Sequence, residues 1–238
     1  MPLENRTAVI TGASGGIGAV LTQDLAALKV NLALLERSGE KLEKLIHTLG
    51  LPGAGGYPQA GDLVDPAATR AAAGMVAARF KHVDILLHLV GGWMGGKNLA
   101  DTPAADLEMM IDQHIWTTFN LIQAFVPHLV KNGWGRIIMI TSPSATAPNA
   151  RGGPYAVGKA GQEALMLALS QELKGSGVTA NLLQVKTIDV KREKLSNPSA
   201  DNASWTTPEE LSAAVQYLLS DSAGSVNGAK LPLFGAYR

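Results

Sequence analysis

Short apolar runs alternate with longer amphipathic stretches along this chain of 238 residues. The apolar runs are too short for anything but buried strands, and the stretches between them show helical periodicity. The predicted strands are Thr7–Thr11, Asn31–Leu35, Val83–Val90, Arg136–Thr141 and Val178–Val185, with Leu231–Phe234 as the segment that could close the sheet. The predicted helices are Ile17–Leu28, Glu40–Leu49, Pro66–Phe80, Ala104–Lys131, Tyr155–Lys174 and Pro208–Ser220, the last capped by Thr207.

The alternation of strands and helices determines the expected architecture. Such a chain forms right-handed crossovers between parallel strands, and the sheet is then buried on both faces. We therefore expect an α/β fold with a doubly wound parallel sheet and helices on both faces. No change in composition marks a second unit, so residues 1–238 are predicted to form a single domain, with a Gly/Pro-rich loop at Gly50–Gly56.

Composition limits the classes of partner. The formal net charge is zero and no dense Lys/Arg block occurs, which argues against nucleic acid or an anionic membrane as the main partner. The chain has no cysteine, so disulfides and thiolate chemistry are excluded. The start, Met1 to Arg6, lacks the apolar segment of a secretory signal, and no apolar run is long enough to span a bilayer. A soluble cytoplasmic protein is expected.

A glycine-rich turn, Thr11-Gly12-Ala13-Ser14-Gly15-Gly16-Ile17-Gly18, connects the first strand to the first helix. Glycines in such a turn allow positive φ and a close approach of a pyrophosphate to the backbone, and the helix N-terminus favours the anion. The predicted cofactor-binding positions in the turn are Gly12, Ser14, Gly15, Gly16, Ile17 and Gly18. A tight strand–helix turn without a ligand is the alternative.

Two other motifs overlap this turn, and both are rejected. Gly12-Ala13-Ser14-Gly15-Gly16 fits the G-x-S-x-G nucleophile elbow, but that elbow normally follows several strands and this one follows the first. A P-loop requires Lys and then Ser or Thr after its glycines, whereas Ile17-Gly18 stands at that place.

The ends of the next two strands carry candidate cofactor contacts. Glu36 lies about twenty residues beyond the glycines, where an acid binds the ribose 2′-hydroxyl, and this favours NAD(H) over NADP(H). Arg37 follows directly and could instead meet a 2′-phosphate. A further strand is expected between the helix Glu40–Leu49 and Asp62, although the pattern gives it no bounds. Asp62, with Leu63 beside it, follows that strand and is a candidate for the adenine edge. A solvated loop acid at Glu36 and a structural cap at Asp62 are the alternatives.

Tyr155 and Lys159 are four residues apart, a spacing that puts both on one face of a helix. A free tyrosine has a pKa of roughly 10, and a lysine beside it lowers that value because it favours the phenolate. The phenol can then exchange a proton with an alcohol or carbonyl oxygen near neutral pH. The Y-x-x-x-K pattern is common on surface helices, so its meaning depends on the motifs around it.

Gly12-x-x-x-Gly16-x-Gly18, Ser142, Tyr155 and Lys159 stand together in this chain, with Ser142 thirteen residues before Tyr155. This set resembles the short-chain dehydrogenase/reductase family, and the resemblance extends from about Thr7 to Gly235. Three further segments also look like the family: Asp84-Ile85-Leu86, Pro208-Glu209-Glu210 and Leu218-Leu219-Ser220-Asp221.

The resemblance implies a Rossmann-like fold and NAD(P)-dependent hydride transfer to or from a carbonyl carbon of a small molecule. Tyr155 is then the general acid in reduction and the general base in oxidation. Lys159 lowers its pKa and binds the nicotinamide ribose, while Ser142 holds the substrate oxygen. Helices around Ala104–Lys131 and Tyr155–Lys174 commonly build a tetramer interface in this family, so a homo-oligomer is expected; burial within the subunit explains their apolar content equally well.

Two departures from the family pattern concern histidines. The family's Asn-Asn-Ala-Gly run is His88-Leu89-Val90-Gly91 here, with Gly91 as a candidate cofactor contact and His88 interpreted as structural. His114 replaces an asparagine that supports a water linking the lysine to solvent. An imidazole that titrates near neutral pH could take that role and makes His114 a catalytic candidate, with a satisfied core histidine as the alternative.

The third departure lies after the strand Val178–Val185. Val185-Lys186 replaces the usual Pro-Gly of the loop that clasps the nicotinamide, and Thr187 is the candidate contact in its place. The substrate loop, about residues 186–207, is short for the family, which implies an open or oligomer-completed pocket. Its candidate apolar walls are Trp93, Met94 and Trp205, with stray exposed aromatics as the alternative. No residue is assigned to a metal.

The leading hypothesis is therefore an NAD(P)-dependent oxidoreductase that interconverts a secondary alcohol and a ketone or aldehyde. The second hypothesis follows from the altered segments and is a non-catalytic dinucleotide-binding protein, a sensor or assembly subunit that kept the fold. A serine hydrolase acting through Ser14 is the third, and we expect that a fluorophosphonate probe would not label it.

Overall fold

The computed structural model describes residues 3–51 and 56–234. Within these ranges a seven-stranded sheet has the order β3-β2-β1-β4-β5-β6-β7, and every neighbouring pair is parallel. The strands are β1 Thr7–Thr11, β2 Asn31–Glu36, β3 Gly56–Ala60, β4 Ile85–His88, β5 Gly135–Thr141, β6 Val178–Gln184 and β7 Lys230–Pro232. The predicted doubly wound parallel sheet is confirmed.

Helices cover both faces of this sheet. Alternate residues of β1 point to opposite faces, so Ala8 and Ile10 belong to one apolar core and Val9 to the other. Helices α1 and α8 pack on the first face, and α3, α5 and α6 on the second. The helices are α1 Gly16–Ala27, α2 Gly39–Thr48, α3 Pro66–Phe80, α4 Ala104–Met110, α5 Thr117–Asn132, α6 Gly153–Glu172, α7 Glu193–Ser196 and α8 Pro208–Leu219.

The long helix predicted at Ala104–Lys131 is continuous but not uniform. A π-helical segment, Ile111–Trp116, joins α4 to α5, and His114 lies within it. Such widened turns occur frequently at functional sites. Here the segment packs against α6, which carries Tyr155 and Lys159.

Strand β4 is shorter than the predicted Val83–Val90. The strand ends at His88, and the Leu89 amide then divides its hydrogen bond between the Thr11 carbonyl oxygen at 3.3 Å and the Thr11 hydroxyl at 3.2 Å. Leu89 and Val90 then lie directly against the backbone of Gly12. The chain passes from β1 to the helix α1 on one face of the sheet and from β4 to the helix α5 on the other, so a cleft opens at the carboxyl ends of these strands.

The pattern gave no bounds for β3, whose sequence Gly-Tyr-Pro-Gln-Ala has no apolar alternation. The loop predicted at Gly50–Gly56 is wrong at its end, because Gly56 pairs with Leu32 as the first residue of that strand. Residues 52–55 of that loop, like Met1, Pro2 and Gly235, lie outside the described residues. No helix in the described ranges has both the length and the apolarity to cross a membrane.

Candidate active site

The cleft lies at the carboxyl ends of β1 and β4, where the strand order reverses. This is the position where doubly wound sheets bind ligands. Three cavities adjoin there, and we call them large, middle and small by their volumes of about 590, 350 and 230 Å³. All three are lined by Val90 and Gly91. They extend from the end of β2, past the glycine turn, to Tyr155 on α6.

The glycine turn fits an anion such as a pyrophosphate. Gly12 has φ +68°, and a Cβ on Gly18 would lie 2.6 Å from the Ala13 carbonyl oxygen and closer still to that of Gly12. Gly15 is the N-cap of α1 and supplies no side chain, so the first amides of the helix remain available to a ligand. The four predicted positions Gly15, Gly16, Ile17 and Gly18 all line the middle cavity.

The predicted substrate loop lies on this turn. A Cβ on Gly16 would lie 2.5 Å from a methyl group of Val190, so the loop residue packs directly against the glycine. Val185, Lys186 and Ile188 also line the middle cavity, whereas Thr187 between them is outside its lining. The structure therefore brings the loop to the cleft but does not bring Thr187 to it.

Glu36 at the end of β2 borders two of the cavities. Its carboxylate accepts hydrogen bonds from the Ser14 hydroxyl at 2.5 Å and from the Arg37 amide at 2.9 Å. These contacts join the glycine turn to the strand where a ribose would be held. Lys41 and Lys44 of α2 line the same large cavity, and sequence reasoning did not find them.

The cavity at the other side of Glu36 is lined by Arg37, Asp62 and Leu63. Asp62 accepts from the Val64 amide at 3.0 Å, so this acid does cap its own turn. Asn120 of α5 donates to the carbonyl oxygens of Leu63 and Val64 at 2.9 Å each. The helix behind the cleft thereby fixes the loop that would meet an adenine.

Ser142 and Tyr155 are brought together as predicted by their spacing. The Ser142 hydroxyl hydrogen-bonds the phenol of Tyr155, which stabilises the phenolate. Burial has the larger effect, however, and raises the pKa of Tyr155 above its ordinary value. Tyr155 lines the middle cavity together with Lys159 and the glycine turn.

Lys159 is buried, and the pKa of Tyr155 is raised by burial, not lowered as the sequence predicts. Its ammonium donates to the carbonyl oxygen of Ile140 at 2.8 Å and to Oε1 of Gln162 at 2.9 Å. Burial lowers the pKa of Lys159 itself to about 7, and Glu163 opposes that shift. The predicted lowering of the tyrosine pKa is therefore wrong as a net effect, because burial of the phenol outweighs what favours the phenolate.

Glu163 belongs to a second buried polar group. It accepts from the Thr141 hydroxyl at 2.8 Å and from Lys230 of β7 at 2.8 Å. A buried carboxylate needs such partners to remain charged. This arrangement keeps one negative charge close to Lys159.

His114 is buried and lies in the wall of the middle cavity. Its Nε2 donates to the carbonyl oxygen of Gly92 at 3.0 Å, which leaves Nδ1 as an acceptor. Burial and the neighbouring Lys159 lower the pKa of His114 to about 4. The expectation that this imidazole titrates near neutral pH is therefore wrong.

His88 has the structural role that the sequence favoured. The Thr117 hydroxyl donates its proton to the backbone carbonyl of Gln113. The Thr117 oxygen therefore accepts from Nε2 of His88, at 3.3 Å. The Thr11 hydroxyl then donates to His88 Nδ1 at 2.8 Å. Burial lowers the pKa of His88 to about 3, so the ring is neutral.

The three aromatic or apolar wall candidates have different positions. Trp93 lines the middle cavity and is 64% exposed. Met94 and Trp205 are half-buried and lie outside the lining of the described cavities, and the Trp205 carbonyl accepts from Lys194 at 2.9 Å. Only Trp93 is thus brought to the cleft.

The family profile described as short chain dehydrogenase matches residues 6–200. The chain belongs to this family. Two relatives of this short chain dehydrogenase are D-threitol dehydrogenase of Mycolicibacterium smegmatis, 28% identical over 99% of the chain and 94% of the relative, and Nodulation protein G of Azospirillum brasilense, 30% identical over 98% of each. A solved Burkholderia cenocepacia short chain dehydrogenase in complex with NADP is similar with a TM-score of 0.85 and 26% identity over 99% of both chains.

This short chain dehydrogenase is an oxidoreductase of an NAD(P)-binding family. Sequence reasoning missed the polar contacts of Lys159, which depend on Gln162 and, through it, on Thr118. One signal was available: Gln162 is a polar residue three positions after Lys159, on the helix face that carries the lysine.

Proposed function

We propose that this chain uses NAD(H) to interconvert a secondary alcohol and a ketone or aldehyde, with Tyr155 as proton donor and acceptor. One observation carries the proposal: the cavity lined by the glycine turn is also lined by Tyr155 and Lys159. A dinucleotide on the turn and a substrate at the tyrosine would therefore meet in one space.

Ser142, Tyr155 and Lys159 each have a distinct role in this reaction. Bound NAD(H) would supply or accept the hydride. Ser142, which touches the phenol, holds the substrate oxygen beside it. Tyr155 gives its proton to that oxygen in reduction and removes the proton in oxidation. Lys159, where charged, favours the phenolate, which the buried phenol alone does not.

The preference for NAD(H) rests on Glu36. Its carboxylate is held by Ser14 and by the Arg37 amide at the edge of the cleft. A ribose 2′-hydroxyl can donate to such a carboxylate, whereas a 2′-phosphate is repelled by it. Arg37 and the lysines of α2 lie close enough to the same cavities to compete with this effect.

Residues 186–207 are proposed as the substrate loop. Val190 packs on Gly16 at one end of it. The loop is tied to α8 by ion pairs of Arg192 with Glu209 and of Lys194 with Glu210, the latter at 2.8 Å. The Arg192–Glu209 pair is exposed and contributes only about 0–1 kcal/mol. Lys194 is largely buried and also donates to the Trp205 carbonyl, so its end of the loop is held more firmly.

A homo-oligomer, dimer or tetramer, is part of the proposal. Seven large apolar side chains remain exposed on the helical stretch of residues 104–132 and on α6: Leu107, Met109, Trp116, Phe119, Val130, Val157 and Leu167. A second copy of the same face would bury them. Light scattering on the wild type and on Trp116→Glu tests this, with smaller particles expected for the variant. The single-domain organisation and the cytoplasmic location stay predictions.

A non-catalytic dinucleotide-binding protein is the second candidate. The raised pKa of Tyr155 favours it, as does the direction of the Lys159 hydrogen bonds toward Gln162. Fluorescence transfer from tryptophan on titration with NADH and NADPH, followed by a broad panel of carbonyls and alcohols, separates the two. Binding with turnover supports the enzyme, and binding without any turnover supports the second candidate.

A further inference from the structure

Gln162 is fully buried on α6, and both ends of its amide are hydrogen-bonded. Oε1 accepts from the Lys159 ammonium at 2.9 Å, and Nε2 donates to the Thr118 hydroxyl of α5 at 3.1 Å. An ammonium only donates, so the amide oxygen must face the lysine. A buried amide is costly unless both ends are satisfied, and here both are.

The ammonium of Lys159 has three N–H groups. One is directed to the Ile140 carbonyl and one to Gln162, which leaves one for a group in the cleft that Lys159 lines. We propose that Gln162 is a positioning residue that holds Lys159 against α5 through Thr118 and keeps its ammonium charged. This inference rests on the proposed function and extends it to a residue outside the Ser142–Tyr155–Lys159 set.

The connection between Lys159 and α5 does not involve His114, which the sequence makes a candidate for linking the lysine to solvent. His114 donates to the Gly92 carbonyl, and its ring contacts Tyr155 edge to face. Gln162 and Thr118 instead provide a direct side-chain connection from the lysine to the helix that follows His114. The lysine is thereby fixed to α5 without the imidazole.

Several charged or titratable groups face Lys159 from the elements around it. Glu163 lies on the same helix, His88 on β4, His114 on the π-helical segment, Tyr155 one turn earlier, and Lys230 of β7 behind Glu163. Glu163 favours the charged lysine and burial disfavours it. A neutral acceptor on the ammonium adds to the first effect, since a hydrogen bond to the charged form favours that form.

The test measures the titration of Lys159 directly. Lysine labelled with ¹³C and ¹⁵N is followed by NMR, and the Lys159 resonance is assigned by its loss in Lys159→Arg. The variants are Gln162→Met, Gln162→Glu and Thr118→Val, with Gln171→Met as the control because Gln171 is exposed on the same helix. The pH profile of turnover is recorded for each variant beside the titration.

We expect Gln162→Met to lower the Lys159 midpoint by about one pH unit, which is the scale of one charge-assisted hydrogen bond. Gln162→Glu should raise it, Thr118→Val should lower it less, and Gln171→Met should leave it unchanged. Any alkaline limit of turnover should shift with the midpoint. If Gln162→Met does not fold, the Lys159 midpoints of Gln162→Glu and Thr118→Val test the inference in its place.

An unchanged Lys159 midpoint in the folded Gln162 and Thr118 variants overturns the inference. A wild type that turns over no substrate in the panel overturns the proposed function instead. In that case the NMR titration still decides whether Gln162 holds the charge on Lys159, so the two failures are distinguishable.

Discussion

The ring of His114 meets the ring of Tyr155 edge to face, with the centroids 5.7 Å apart. Among the described residues no group pairs with Nδ1 of this buried histidine. The imidazole therefore contacts the proposed acid/base residue by packing, while its one hydrogen bond goes to the Gly92 carbonyl. We infer that His114 shapes the wall behind the tyrosine and does not carry protons.

Replacement of His114 tests this role. We expect His114→Asn to reduce kcat/KM by less than about tenfold, below the 10²–10⁴-fold of a general acid or base. Because the pKa of His114 is lowered to about 4, the ionisation of His114 should not affect turnover between about pH 5 and 8. An inflection near pH 6.5 that disappears in His114→Asn would contradict this role.

Buried histidines should make the protein less stable in acid. The pKa of His88 falls from 6.5 to about 3 on folding, so the unfolded chain binds the extra proton first. Its contribution to the free energy of unfolding is therefore complete above pH 6.5 and is lost as the pH falls toward 3, by on the order of 1.4 kcal/mol per pH unit. His114 acts in the same direction toward pH 4.

Urea unfolding at several pH values between about 4 and 6.5 measures this loss. His88→Asn should make the dependence on pH shallower, since it removes one of the two titrating groups. His47→Gln is the matched control, because His47 is exposed on α2 and should leave the slope unchanged. An equally steep slope in His88→Asn would contradict the argument.

The contact of Gly16 with Val190 predicts a rescue. A methyl group at position 16 would lie 2.5 Å from a Val190 methyl, so Gly16→Ala should push the substrate loop away and weaken NADH binding about tenfold. Val190→Ala removes the two closest methyl groups and leaves only the Cβ, at 3.2 Å, so the double variant should recover part of the affinity. Fluorescence titration with NADH measures all three variants.

Gly18→Ala is the contrasting case. Its Cβ would strike the backbone carbonyls of Gly12 and Ala13, which cannot move without breaking the turn. Val190→Ala should therefore not restore NADH binding to this variant. If Val190→Ala restored NADH binding equally to Gly16→Ala and Gly18→Ala, the contact with Val190 would not be the cause of the loss at Gly16.

Glu36 predicts the cofactor preference. Glu36→Ser should weaken NADH and strengthen NADPH binding by about tenfold each, since the ribose loses an acceptor and the 2′-phosphate loses a repelling charge. Glu43→Ser, an exposed acid on α2, is the control. Both dissociation constants come from the same fluorescence titration, and unchanged constants in Glu36→Ser would remove the basis for preferring NAD(H).

The sequence predicted the sheet and most helices because their signals are local. The apolar run of β1 and the Pro-started helix α3 have the predicted bounds. The carboxyl end of β4 was missed because it depends on a long-range contact between Leu89 and Thr11, which no local pattern contains. The bounds of β3 were not predicted because an edge strand with Gly and Pro shows no apolar alternation.

The residues of the candidate site were predictable from the sequence, but their hydrogen-bond partners and pKa values were not. The spacing of Ser142 and Tyr155 predicted a contact that the structure contains. The partners of Lys159 were not predictable from spacing alone, because they depend on burial and on which acceptor the ammonium reaches. The prediction that His114 titrates near neutral pH was wrong for the same reason, since the pKa of an imidazole depends on surroundings that sequence does not specify.

The most direct test of the account is the turnover of Tyr155→Phe on a substrate that the wild type reduces with NADH. We predict a loss of at least about 10²-fold in kcat/KM with NADH affinity unchanged, because only the proton donor is removed. Tyr217→Phe, at an exposed tyrosine of α8, should retain full activity. Unchanged turnover in Tyr155→Phe would contradict the central claim.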